Sequence, residues 1–147
     1  MTKKKILSVT MAFIMLHLFS CSKDSPATSK TRTELLTQAA WRLRDTETAA
    51  PGGAFVSDLF KLPLCQQDNL VLIKSNNIYQ VTEGNTKCHA SDPDVYYSGT
   101  WKLTGDETAM VLRGADTNFI LTLNDSALIG VYIDRSTGYQ TRETYSH

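Results

Sequence analysis

The sequence predicts an all-β domain, a small eight-stranded antiparallel up-and-down barrel preceded by a short helix. Three observations carry that expectation. From residue 99 onward, Gly105-Asp106-Glu107, Gly114-Ala115-Asp116, Asn124-Asp125-Ser126 and Arg135-Ser136-Thr137-Gly138 supply turn chemistry every ten or so residues, leaving no room for crossover helices. Between those turns apolar and polar residues alternate, the period-two pattern of a half-buried strand. Upstream, the stretch from Cys65 to Cys88 holds two β-type runs folded about Asn76-Asn77, with a cysteine outside each end. A two-residue turn there opposes residues whose numbers sum to 153, as 65 and 88 do. Opposed Cβ atoms lie about 4.5–5.5 Å apart, within reach of a disulfide after a small adjustment.

The chain opens with Lys3, Lys4 and Lys5 and then runs apolar over 6–19, which predicts a secretory signal over residues 1–20. That run of 14 is short for a spanning helix, which needs about 20 residues. The ending Leu18-Phe19-Ser20-Cys21 resembles a bacterial lipoprotein box. The resemblance implies that Cys21 carries a diacylglycerol and becomes the new N-terminus, so the expected membrane contact is through lipid. At about 0.8 kcal/mol per buried CH₂, two or three acyl chains anchor firmly where one does not.

Removing the signal takes three of the 15 basic residues and none of the 15 acidic ones, leaving 12 against 15 and a net charge of −3. No basic patch points to nucleic acid. Lipidation of Cys21 also resolves the cysteine parity, since only Cys65 and Cys88 remain, and an oxidising envelope lets them pair.

Residues 21–30 are polar, contain Pro26 and read as a flexible tether that spans up to roughly 30 Å. Ser22-Lys23-Asp24 resembles the Lys-plus-acid signal that sends some Bacteroidetes lipoproteins to the cell surface. Outer-membrane attachment is therefore expected, on the periplasmic face or the outside. The domain proper is expected over 31–147. Thr31-Arg32-Thr33-Glu34 fits a capping box, and Leu35, Leu36, Ala39 and Ala40 share one face of the short helix that follows. Too short to stand alone, that helix must pack on the sheet or plug one end of a barrel.

At Trp41 the pattern turns to alternation, with Trp41 and Leu43 on one side and Arg42 and Arg44 on the other. Residues 49–64 open on Pro51-Gly52-Gly53 and continue with Phe55, Val56, Leu59 and Phe60 at helical spacing. An apolar face on a long connection must cover something, so Phe55, Leu59 and Phe60 are lid candidates over the barrel's open end, or else a satellite of its core. The hairpin 69–75 and 78–83 comes next, then a polar loop 84–98 whose Tyr96 and Tyr97 are candidates for contact with a partner or glycan. Strands are expected near 99–104, 108–113, 117–123, 127–134 and 138–145, making eight from Trp41. Eight strands close with an interior wide enough for side chains or one small ligand, and closure removes exposed edges.

Trp41 after a short helix, Cys65 and Cys88 around a hairpin, and Gly99-x-Trp101 opening the second half together resemble the lipocalin-like lipoproteins of Bacteroidetes, over roughly 32–145. The resemblance implies that Trp41 is the barrel-floor residue and that Arg142 stacks on it, a cation–π contact of about 0.5–2 kcal/mol. The sequence departs from the family pattern in placing Ala39 where the first glycine of a Gly-x-Trp motif stands.

Catalytic chemistry finds little footing. There is no Gly-x-Ser-x-Gly elbow, no Cys-x-x-Cys and no phosphate-binding glycine loop. His89 and His147 are the only histidines after the signal, and Asp92-Pro93-Asp94 beside His89 reads as a turn rather than a metal site. Asp106, Glu107, Asp116 and Asp125 fall in turns, where solvated carboxylates are the default. No enzyme, cofactor or metal is expected. Trp101, Leu103, Met110, Leu112, Phe119, Leu121, Tyr132 and Tyr139 are the candidates for lining an interior cavity. The expected function is non-covalent binding of a small apolar or amphipathic ligand by a lipid-anchored envelope domain. The alternative is a filled core on a protein-binding envelope module, an inhibitor or an accessory subunit of a complex.

Overall fold

The computed structural model describes residues 29–113 and 116–147, Asp116 in its backbone only. The expected signal, the lipidation residue Cys21 and the tether up to residue 28 lie outside the described residues.

The first described element is set by its cap. The Thr31 hydroxyl accepts from the Glu34 amide at 3.1 Å while the Glu34 carboxylate accepts from the Thr31 amide at 2.7 Å, the expected capping box. Helix α1 (Arg32–Thr37) follows, and its Leu36 is fully buried. Six residues do not sustain a helix in water, so this buried leucine holds α1 in place.

The remaining elements are β1 (Trp41–Ala49), β2 (Val56–Ser57), a 3₁₀ turn (Leu59–Lys61), α2 (Leu64–Gln67), β3 (Leu70–Ile73), β4 (Ile78–Thr82), β5 (Val95–Leu103), β6 (Ala109–Leu112), β7 (Asp116–Leu123), β8 (Ala127–Ile133) and β9 (Gln140–Ser146). Consecutive strands from β3 to β9 pair antiparallel, and β1 pairs with both β3 and β9. Eight strands thus close into an up-and-down barrel, with the two-residue β2 flanking β1 at Glu47 and Thr48. This is the eight-stranded up-and-down barrel expected from the turn spacing, and it matches a lipocalin-like architecture.

Two sequence expectations are corrected in this frame. The β3–β4 ladder pairs Leu70 with Thr82 and Ile73 with Tyr79, so opposed numbers sum to 152 rather than 153. The cause is the turn. Asn77 adopts φ 65°, with Lys74 N–H donating to the Ile78 carbonyl and Asn77 N–H to the Lys74 carbonyl, a three-residue loop closed by a left-handed residue. Cys65 and Cys88 are nevertheless bonded, their Cα atoms 5.2 Å apart, but outside the ladder. Helix α2 carries Cys65 back over the segment after β4, where the Asp68 carboxylate also accepts from Asn85 N–H at 2.8 Å and Thr86 N–H at 3.1 Å. The second correction concerns residues 55–60, which form β2 and the 3₁₀ turn instead of a helix. Val56 pairs with Thr48, and Asp58 N–H donates to the Thr46 carbonyl, because β1 has an open edge there beyond its short pairing with β3.

One end of the barrel is plugged. Trp41 is fully buried and its indole N–H donates to the Leu36 carbonyl at 2.8 Å, while the Trp101 indole N–H donates to the Lys74 carbonyl at 2.8 Å. These two rings, Leu36 and Ile73 form the floor of the core, with Leu103 packed beside them. The ring over Trp41 is that of His147, centroids 3.9 Å apart.

Arg142 is not the partner of Trp41. It opposes Glu47 across the β1–β9 seam, one residue out of phase with the inward-facing Glu143, and so points outward. There it makes two 2.6 Å hydrogen bonds to the Glu47 carboxylate and stacks 4.2 Å over the ring of Phe55. That pairing holds the Glu47 carboxyl below its usual range.

Candidate ligand cavity

Pairing registers fix which side chains face inward. Val71 opposes Val81, Ile73 opposes Tyr79, Leu103 opposes Met110, and Leu128 opposes Tyr145. These rows enclose a cavity of about 220 Å³ above the tryptophan floor, lined by Val71, Ile73, Val81, Met110, Leu112 and Leu128 with Tyr79, Asn118, Glu143 and Tyr145. Tyr79, Leu112, Asn118 and Glu143 also line a second space of about 320 Å³, together with Arg113, Tyr132 and Thr141. Arg113 follows β6, Tyr132 lies near the end of β8 and Thr141 near the start of β9, so this second space is the mouth opposite the plugged end. The interior is therefore apolar at its base and polar toward the opening, the usual division of labour in a small-molecule site.

The mouth has a built wall. Gly99 stands opposite Tyr79, and a Cβ there would sit 2.8 Å from the tyrosine ring, so the missing side chain makes room for that ring. Tyr79 in turn packs on Tyr97, ring centroids 5.4 Å apart. Arg113 lies 4.0 Å over the Tyr97 ring and its Nε donates to the Tyr79 hydroxyl at 3.4 Å. Its backbone takes φ 52°, an uncommon conformation for a side-chain-bearing residue. Tyr96 and Tyr97 thus belong to β5 rather than to a loop, and Tyr96 reaches the Asn69 side chain at 3.1 Å. Burial raises both the Tyr79 and the Tyr96 hydroxyl above the usual tyrosine range.

Among the described residues, Glu143 is the one acidic side chain lining the cavity. Its carboxylate accepts from the Tyr145 hydroxyl at 2.8 Å. Burial pushes the Glu143 carboxyl above its ordinary range against the opposing effect of that hydrogen bond, and the Tyr145 hydroxyl is raised by its own burial and then by the neighbouring carboxylate.

Met110 and Leu112 line the inner cavity and Tyr132 stands at its mouth, whereas Trp101 and Leu103 belong to the packed floor. Phe119, Leu121 and Tyr139 are corrected to the outside, at 45%, 59% and 53% exposure. In β7 the inward phase is Asn118 and Ile120, after which an irregularity between Ile120 and Thr122 lets Leu123 turn in opposite Leu128. Tyr139 precedes β9 altogether. The lid candidates also move, since Phe55 lies on Arg142, Phe60 is 75% exposed, and neither they nor Leu59 line the cavity or its mouth.

Glu143, Asn118, Tyr79 and Tyr145 were not legible as site residues. The signal was present in β9, where Thr141, Glu143 and Tyr145 share a phase, but an acid in phase with a tyrosine reads first as a solvated face. Among the described residues no group of three or more His, Cys, Asp or Glu side chains is placed to hold a metal ion. Neither family models nor curated protein sequences gave a match to this chain, so the geometry of the barrel interior carries the functional argument.

Proposed function

We propose that the domain binds one small apolar or amphipathic molecule, without covalent chemistry, inside the barrel. The observation behind this reading is the continuity of the 220 Å³ apolar cavity with the open mouth through the shared residues Tyr79, Leu112, Asn118 and Glu143. Transfer of apolar ligand surface from water supplies about 25 cal/mol per Å², and the polar rim orients the ligand. In this reading Cys21 carries the lipid of an envelope lipoprotein of the lipocalin-like Bacteroidetes type, and the barrel works at the outer membrane. Mass labelling of the exported chain by a clickable fatty acid, lost in Cys21→Ser, tests the anchor.

The binding itself has a convenient reporter. Three of the four methionines lie in the signal, which leaves Met110 on the cavity wall. In protein labelled at the methionine methyl carbon, titration with hexan-1-ol is expected to shift the Met110 resonance and saturate. A resonance that stays still to the solubility limit of the alcohol counts against a ligand cavity.

A second reading, a protein-binding envelope module, draws on Phe119 and Leu121, both exposed on β7. Recovery of one stoichiometric partner, lost when Phe119 and Leu121 become Ser, favours it.

A further inference from the structure

Glu143 introduces a chemical preference into an otherwise apolar chamber. A carboxylate offers about four acceptor sites, and Tyr145 fills one of them. Among the described residues no lysine, arginine or histidine forms an ion pair with it: the four ion pairs join Lys30 to Asp125, Lys61 to Asp58, Lys87 to Asp94 and Arg142 to Glu47. Arg113, which lines the mouth together with Glu143, engages Tyr79 and Tyr97. The neighbours of Glu143 along the cavity are aliphatic side chains, tyrosines and Asn118.

A carboxyl in such surroundings is costly to ionise alone and is relieved by a cation placed against it. Apolar walls beside it then accept the rest of the molecule. We propose that the ligand is a small amphiphile with a cationic ammonium head, seated with its nitrogen on Glu143 and its hydrocarbon body among Val71, Met110 and Leu128. The carboxylate also disfavours the opposite class, since an anionic head in the same place meets like charge in a poorly solvated site. This assignment rests on the cavity-binding reading above and narrows it to one head-group charge.

The test compares three probes with the same six-carbon body and different heads: hexylamine, hexan-1-ol and hexanoate. Each is titrated at neutral pH into the full chain in lipid nanodiscs and followed by the Met110 methyl resonance, which reports the cavity rather than the lipid. Hexylamine is expected to bind at least tenfold more tightly than hexan-1-ol, with hexanoate weakest. In Glu143→Gln, which keeps the shape and an acceptor for Tyr145, the amine's advantage is expected to disappear while hexan-1-ol binding persists. Equal affinity for the amine and the alcohol, preference for hexanoate, or an amine advantage that survives Glu143→Gln overturns the charge assignment and leaves the cavity reading standing. No response to any of the three overturns both.

Discussion

Tyr79 and Gly99 face each other across β4 and β5, and the tyrosine ring fills the space that a side chain at position 99 would need. Gly99→Ala places a methyl 2.8 Å from that ring, so the ring must shift, and with it Tyr97 and Arg113 at the mouth. Overpacking of this kind costs about 1–3 kcal/mol. A lower urea midpoint with an unchanged slope is the expected reading. A wild-type midpoint would show that the ring needs no such clearance.

The Cys65–Cys88 bridge joins α2 to the segment after β4 across a sequence separation of 23. Loop-closure entropy makes that bridge worth about 3 kcal/mol. The double variant Cys65→Ser, Cys88→Ser is expected to unfold at correspondingly lower urea while keeping its β-sheet circular dichroism, because Asp68 still bonds to Asn85 and Thr86. Recovery of the linked peptide in a non-reducing digest checks the bridge directly.

Glu143 gives stability a definite pH slope. Its folded pKa is raised above 4.5, so over the interval from about 4.5 up to the folded value the native state holds a proton that the unfolded chain has released. Stability therefore falls as pH rises through that window. Glu143→Gln removes the group, and its melting temperature is expected to exceed that of wild type at pH 8 and to match it at pH 4. Asp134 has the opposite sign. Ser136 and Thr137 hold it at about 2, and its stabilisation, present above 3.8, is lost as pH falls from 3.8 to about 2. Because Asp134 is common to both proteins, it cancels in the difference.

Leu36 plugs the floor beneath Trp41. Leu36→Ala is expected to cost about 2–5 kcal/mol through lost burial and the cavity left behind. Water admitted beside Trp41 shifts its fluorescence to the red. A large stability loss without that shift would place the damage elsewhere in α1.

The barrel was legible because its signals are local: turn residues at regular spacing, an acid-terminated capping box and period-two alternation. The lining was less so, and β7 explains why. Both of its phases contain apolar residues, Phe119 and Leu121 against Ile120, and the bulge that decides between them depends on the neighbouring strand rather than on the residues themselves. Arg142 failed for a related reason. Its attraction to an aromatic ring was foreseen, but whether that ring is Trp41 or Phe55 depends on which face of β9 it occupies, and one residue of phase separates the answers. The disulfide shows the converse case. Its partners were identified while the hairpin register was off by one, since α2 supplies a return path that a ladder argument does not contain.

The β1–β9 seam governs how the molecule comes into being. Arg44 and Ser146, bonded side chain to side chain at 2.6 Å, stand 102 residues apart. An early ribbon of the nascent polypeptide thus waits for a much later one, a high-contact-order assembly step of the kind that slows folding to milliseconds or seconds. During that delay two unpaired sheet margins are available to neighbouring molecules. Aggregation during synthesis, more than unfolding of the finished cylinder, is therefore the hazard this topology creates.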